Sequence, residues 1–256
     1  MKILILGHTG LLGNCVFRYF SKINFEIETL PIGMRWPSEE MMNLINNSDA
    51  EWIINCIGSI PQRTKNFFEI NSKLPIFLFS TKKKIIHPST DCEFSGNISI
   101  GETYKPEDIT DATDEYGISK SIPSEIALRL DIQNVHLIRT SIVGVDENAS
   151  SLLSWFLKCD GQTNGFSNQY WNGITTLEWA KVSYDIIMGK INHRIVQPSS
   201  HCISKYDLLN IFSKVFEKNI IINKVESKYC NKCLQSTLPI KNIESMLIEL
   251  KEFYNI

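Results

Sequence analysis

The apolar run Lys2-Ile3-Leu4-Ile5-Leu6 ends directly in Gly7-His8-Thr9-Gly10-Leu11-Leu12-Gly13, and this junction constrains the fold more than any other stretch of the chain. An uninterrupted apolar run has the pattern of a strand buried on both faces in a parallel sheet. Glycines at positions 7, 10 and 13 allow a tight turn, backbone approach to a pyrophosphate, and close seating of the next helix on the sheet. The spacing predicts a helix over 11–22 with Leu12, Val16, Tyr19 and Phe20 on one face. Its first turn would aim free N–H groups and a partial positive charge at a phosphate. Gly7, Thr9, Gly10, Leu11, Leu12 and Gly13 are therefore the expected cofactor-binding turn.

The pattern continues as alternating strands and helices. Strands are expected at 25–30, 52–56, 84–87 and 135–139. Ser38 should cap a helix with Glu39 and Glu40 in its first turn, and Asp114 should cap a helix over 114–130. Such alternation predicts an α/β fold, a doubly wound parallel (Rossmann) sheet with right-handed crossovers. After Gly144 the texture changes. A short helix over 151–158 precedes a loop rich in Gly, Asn and aromatics at 161–173. Thr176 should cap a helix to about 188, with a short strand at 195–196. Ser204 should cap a helix over 205–217, a strand could follow at 219–222, and a last helix covers 240–253. The expected division is a nucleotide-binding domain at 1–145 and a small α/β substrate-binding lobe at 146–256, with some chain returning to the sheet.

A formal net charge of −2 with no dense basic stripe argues against a nucleic-acid partner. No segment is long and apolar enough to cross a membrane. The Lys82-Lys83-Lys84 run reads as a solvated turn before a strand. Seven scattered cysteines suit a reducing, cytoplasmic location better than a disulfide scaffold. Cys230 and Cys233 have the spacing of half a zinc site, but no second pair exists, and only His201 and Cys202 could complete it. They read as ordinary loop cysteines, and no metal is expected.

The chemistry is carried by Tyr116-Gly117-Ile118-Ser119-Lys120, which stacks a phenol and an ammonium on one helix face. Upstream, Ser89-Thr90-Asp91 follows an apolar strand. Hydride arriving at a carbonyl carbon leaves an alkoxide that needs a proton. Tyr116 can supply it if an ammonium, Lys120, makes the phenol a readier donor. Thr90 would hydrogen-bond the substrate oxygen, with Ser89 as the alternative hydroxyl. Glu26-Ile27-Glu28-Thr29-Leu30-Pro31 ends the second strand without an acid at its tip, and Arg35 lies shortly after it. With His8 inside the glycine turn, this favours NADPH over NADH.

Together these pieces resemble the extended short-chain dehydrogenase/reductase family, and within it the dTDP-4-dehydrorhamnose reductase branch. Further matching pieces are Asn55-Cys56-Ile57-Gly58, Ile70-Asn71-Ser72-Lys73-Leu74-Pro75, Arg139-Thr140-Ser141-Ile142-Val143-Gly144 and Trp171-Asn172-Gly173-Ile174-Thr175-Thr176. The resemblance implies Tyr116 as acid, Lys120 as its activator and ribose ligand, and Thr90 as carbonyl partner. Cys56, Ile57, Gly58 and Asn71 would line the NADP site. Ser89, Thr90, Ser141, Trp171 and Asn172 would contact a nucleotide-activated 4-keto-6-deoxy sugar, with Trp155 and Tyr170 further wall candidates. Arg139 reads as a structural strand-end residue.

Related dehydratases carry Thr-Asp-Glu, whereas here the run is Thr90-Asp91-Cys92-Glu93, which turns the Glu to the other face and suits a reductase. Pro123 stands where the family usually has Gly, so a bend is expected one turn after Lys120. Two alternatives stay open: an epimerase of the same family with tightly held NAD, and a non-catalytic subunit like the regulatory subunit of methionine adenosyltransferase. The implied partner is a small-molecule nucleotide sugar used in surface polysaccharide synthesis, and a homodimer through the flanking helices is left open.

Overall fold

Alternate residues of the first strand, β1 (Lys2–Leu6), face opposite sides of a sheet, and both sides are buried. In the computed structural model, which describes residues 1–62, 66–146 and 151–256, Ile3 and Ile5 pack with Leu12, Val16 and Phe20 of α1 (Leu11–Lys22). Leu4 and Leu6 pack on the other face with Met41 and Ile45 of α2 (Glu39–Asn47). Each such side chain, fully buried, contributes about 1.5–3 kcal/mol from water exclusion. This two-sided burial makes the strand an unbroken apolar run.

Strands β2 (Glu26–Thr29), β3 (Trp52–Asn55), β4 (Lys84–Ser89) and β5 (Val135–Arg139) join β1 in parallel. The order across the sheet is β2-β1-β3-β4-β5, completed at the far edge by a strand from the second half of the chain. The chain reverses direction across the sheet between β1 and β3, with Leu6 opposite Asn55. In open α/β sheets a ligand crevice forms at such a switch point, outside the carboxyl ends of the strands. Ser38 caps α2 by accepting from Met41 N, as its sequence position predicts.

Between β3 and β4 the sequence reading placed no helix. Residues Phe68–Lys73 are π-wound and run into α3 (Leu74–Phe79). Helix α4 (Glu115–Arg129) is capped by Asp114, whose carboxylate accepts from Gly117 N at 2.8 Å. It is continuous through Pro123. The proline lacks the N–H that would bond the Ser119 carbonyl, and Ser72 Oγ donates to that carbonyl instead at 2.7 Å. A hydroxyl from the neighbouring element thus replaces the missing backbone donor.

After β6 (Ile142–Val143) and α5 (Leu152–Lys158), the Gly- and Asn-rich stretch expected as a loop contains β7 (Gln162–Phe166) and β8 (Gln169–Trp171). Then come β9 (Ile174–Thr175) and α6 (Thr176–Ile187), whose cap is Thr175 rather than Thr176. β10 (Ile195–Val196) is the strand that completes the large sheet, beside β5. β11 (Ile203–Ser204), α7 (Lys205–Val215), β12 (Ile221–Val225), β13 (Cys230–Asn231) and α8 (Ile243–Tyr254) follow. β12 pairs with β7, while β8 is flanked by β11 and β13.

The cysteines depart from expectation. Cys233 is joined to Cys202 by a disulfide, and Cys230 is a free thiol. No described helix is long and apolar enough to cross a membrane.

Candidate active site

The glycine turn is built as its spacing requires. Gly7 adopts a φ of +77°, which L side chains rarely take. A Cβ on Gly13 would lie 2.0 Å from the Gly7 carbonyl oxygen, so the first turn of α1 can seat on the loop only as glycine. The N-terminal N–H groups of α1 are left for a phosphate. A cavity of about 550 Å³ opens beside the turn, lined by His8, Thr9, Gly10, Leu11, Arg18 and Ile32 among others. These features fit a dinucleotide. Arg35 is exposed, donating to the Met34 carbonyl, whereas Arg18 faces this cavity.

A cleft of about 360 Å³ lies along the carboxyl ends of β1, β3 and β4. Gly10, Leu11 and Leu12 form one end, Cys56, Ile57 and Gly58 a wall, and Thr90, Tyr116 and Lys120 the other side. Ser89 and Ser141 also line it. Asn71 stands behind the wall and shapes it. Its side chain accepts from Ser59 N at 2.8 Å and donates to Ser59 O at 3.0 Å and Ser119 Oγ at 3.1 Å, tying the loop after β3 to α4.

Helix α4 brings Tyr116 and Lys120 to the cleft, and Gly117 lets it approach. A Cβ there would be 2.3 Å from the Cys92 carbonyl oxygen. Lys120 donates from Nζ to the Pro88 carbonyl at 2.5 Å. Burial drops its pKa to about 8, against the opposing pull of Glu93. Burial also pushes the Tyr116 phenol up, assisted by the charges of Cys92 and Asp91 and opposed by a hydrogen bond with Thr90. The phenol is thereby protonated at neutral pH, the form that a proton donor must have.

Thr90 Oγ1 donates to Asp91 Oδ1 at 3.1 Å and accepts from Cys92 N at 3.2 Å. Ser89 is directed elsewhere, donating to Glu93 Oε1 at 2.6 Å. Glu93 lies on a short 3₁₀ turn, Asp91–Glu93, rather than on a strand extension, and points away from the cleft. It is fully buried and also accepts from Ser124 Oγ at 2.7 Å and Arg139 Nε at 3.0 Å. Arg139 in turn donates to the Pro106 carbonyl and to Gln197 Oε1. This buried network props the β4 end from below.

A second cavity, of about 540 Å³, adjoins the first; Asp91, Cys92, Ser141, Ile142 and Leu152 line both. Trp155, Tyr170 and Trp171 are on its walls, with Lys205, Cys230 and Lys232. Asn172 is buried away from it and clasps Leu234, accepting from its N–H at 2.9 Å and donating to its carbonyl at 2.8 Å. Sequence reasoning quoted Asp91 and Cys92 as part of the run after Thr90 without assigning them to the site, and passed over Lys205 and Lys232. Asp91 could have been found from its place after Thr90; the lysines had no local signature.

Residues 1–165 match the family model described as the RmlD substrate binding domain, and the chain belongs to that family. No curated protein sequence matches it. Among solved structures it is similar to a dTDP-4-dehydrorhamnose reductase of Clostridium acetobutylicum, with 17% identity, all of both chains covered and a TM-score of 0.86. It is also similar to the Bacillus anthracis dTDP-4-dehydrorhamnose reductase solved in complex with NADP, with 13% identity, 99% and 98% coverage and a TM-score of 0.85. The Yersinia enterocolitica dTDP-4-dehydrorhamnose reductase follows at 15% identity, 99% coverage of each chain and a TM-score of 0.80. These likenesses show a fold shared along the whole chain, with the Rossmann-type sheet formed by β1–β5 and β10.

Proposed function

We propose that this chain reduces the keto group of a nucleotide-activated 4-keto-6-deoxy sugar, using NADPH, in deoxysugar synthesis. One observation carries the reading: Thr90, Tyr116 and Lys120 converge in a cleft that has the glycine turn at one end and shares a wall with a larger cavity. The named activity of the structural neighbours points to the same chemistry.

When bound, the reduced nicotinamide supplies the hydride. The chain's own residues supply the rest. Tyr116 holds a proton at its phenol oxygen and gives it to the sugar oxygen as negative charge develops there. Thr90 turns its hydroxyl from Asp91 to that oxygen and fixes its position. Lys120, protonated below about pH 8, places a positive charge beside the phenol and a donor where the cofactor's ribose would lie. Glu93, bound to Arg139, cannot act as the dehydratase base, which supports reduction over elimination.

NADPH is favoured because β2 ends at Thr29 with no acid following it, while His8 and Arg18 line the cavity beside the turn. The complex of a neighbour with NADP is consistent with this.

The test is to mix the purified chain with NADPH and a panel of nucleotide-linked 4-keto-6-deoxy sugars. Consumption of NADPH in step with formation of a new carbinol is expected for one of them. Interconversion of sugar epimers without net NADPH consumption would replace the reading with an epimerase. Silence with every sugar, while NADPH still binds, would leave a regulatory subunit as the better account.

A further inference from the structure

Tyr116, Lys120 and Ser124 recur at four-residue steps of α4, so they lie along one face of the helix. The first two line the cleft, while Ser124, one turn further on, is fully buried. Ser124 Oγ donates to Glu93 Oε1 at 2.7 Å, and Ser89, the residue before Thr90, donates to the same oxygen at 2.6 Å. The other oxygen, Oε2, accepts from Arg139 Nε at 3.0 Å. One oxygen of the carboxylate joins the carboxyl end of β4 to α4, and its twin holds the end of β5.

The backbone of Glu93 repeats the connection. Its N–H donates to the Thr90 carbonyl at 3.3 Å. Its carbonyl accepts from Asp111 N and Ala112 N, both at 3.1 Å, just ahead of the Asp114 cap of α4. The helix is held at its start and again one turn beyond Lys120. Lys120 Nζ itself reaches across to β4, donating to the Pro88 carbonyl at 2.5 Å, so its place depends on the spacing of strand and helix.

We propose that Glu93 is a positioning residue for the reduction, its carboxylate fixing Thr90, at the end of β4, relative to Tyr116 and Lys120 on α4. The inference rests on the proposed reductase reading and adds the residue that keeps its three reacting groups in register. A buried ion pair gives little net stability over well-packed apolar side chains, so the contribution of this one lies in the geometry that it fixes. The charge of Glu93 acts in the same direction. The titratable groups around the Lys120 ammonium are Glu93 and Cys92 on the 3₁₀ turn, His87 on β4 and Tyr116 on its own helix. Asp91 also borders the cleft, its carboxyl pushed up by burial. Burial keeps His87 neutral, holds the Cys92 thiol protonated with a pKa of about 12, and keeps the phenol protonated. Glu93, with Arg139 on its other oxygen, is the carboxylate that favours the charged form of Lys120.

The experiment compares Ser124→Ala and Glu93→Gln with the parent chain, each checked for fold by circular dichroism. Ser124→Ala removes the link to α4 and leaves Arg139 paired, so it carries the kinetic test even where Glu93→Gln fails to fold. Glu93→Gln is also made together with Arg139→Met, which leaves no unpaired guanidinium in the core. With the keto sugar that the parent reduces, kcat should fall on the order of tenfold in Ser124→Ala and further in Glu93→Gln, as misplacement of reacting groups predicts. KM for the sugar and NADPH affinity should stay unchanged. In the cofactor-free chain, NMR of isotope-labelled lysine should show Lys120 titrating below about pH 8 once Glu93 is neutral.

Parent-like kcat in folded Ser124→Ala would overturn the positioning role, as would a rise in KM with kcat unchanged. A Lys120 titration that does not move in the Glu93 variants would overturn the action of the carboxylate on the ammonium. The titration needs no substrate, so the two readings fail separately. A shifted Lys120 in a chain that reduces no keto sugar sinks the reductase and keeps Glu93 as the residue that holds Lys120. Turnover at the parent's rate in both variants does the reverse.

Discussion

The two ends of the site are built in different ways. The cofactor end is made by one contiguous segment, residues 7–13, whose geometry follows from local rules: a strand end, three glycines and a helix N-terminus. The substrate end is assembled from residues far apart in sequence, Asp91, Ser141, Trp155, Tyr170, Lys205 and Lys232, brought together by two-residue strands and a disulfide. A local device tolerates change in the rest of the chain but little within itself. An assembled cavity can change its ligand through single side chains, at the cost of depending on distant pairings.

The largest expected effect strikes both ends together. Glu93→Ala would strand the Arg139 guanidinium in the core and should destabilise the fold by about 3–5 kcal/mol, measured by denaturant unfolding. A much smaller change would mean that the network is not the common support of β4.

Breaking the disulfide should act on the assembled end. Replacing Cys202 and Cys233 by Ser opens a 31-residue separation and should lower stability by about 3–4 kcal/mol in the chain-entropy picture. If the comparison holds, residual NADPH binding at temperatures where the protein stays folded is unaffected.

The pH response isolates the cofactor end. Lys120 titrates near 8 in the folded chain against a reference of 10.5, so the unfolded chain binds more protons between those values. Stability of the cofactor-free chain should therefore rise with pH across that window, by about 3 kcal/mol at most, and fall back as pH drops through 8. Turnover should move the opposite way, falling above about pH 8 as Lys120 loses its charge. In Lys120→Met the stability slope should disappear; its persistence would assign it elsewhere.

Gly13→Ala should be milder for the fold, about 1–3 kcal/mol of strain, but should abolish NADPH binding because the added methyl displaces the turn itself. The smallest effect is expected at Ser72→Ala. It leaves the Ser119 carbonyl without its donor opposite Pro123 and should cost about 1–3 kcal/mol, or less if water enters.

The same contrast explains what could be read before the structure. β1, α1, β5 and the caps Ser38 and Asp114 follow from periodicity and side-chain chemistry acting within a few residues. The glycine turn and the Tyr116–Lys120 pair are legible for the same reason. The π-wound segment Phe68–Lys73 was not, because Asn71 and Ser72 blur its apolar period and Pro75 reads as a break. Their polar groups answer to tertiary partners, Ser59 and Ser119, which no local rule reveals. β7 and β8 lie in a stretch whose Gly and Asn content signals a loop, and their pairing partners are residues 203–204, 221–225 and 230–231. Lys205 and Lys232 read as surface lysines until the strands fold them inward. Asn172, read as a pocket wall, instead holds the segment at Leu234 by bonding its backbone.

The most direct test of the account measures turnover and cofactor binding side by side in the parent chain and in Tyr116→Phe, with NADPH and the keto sugar that the parent reduces. A positioned proton donor predicts a fall in kcat of roughly 10²–10⁴-fold, with NADPH affinity unchanged. A Tyr116→Phe chain that turns over at the parent's rate would show that the phenol does not supply the proton, and the proposed reaction centre would be wrong.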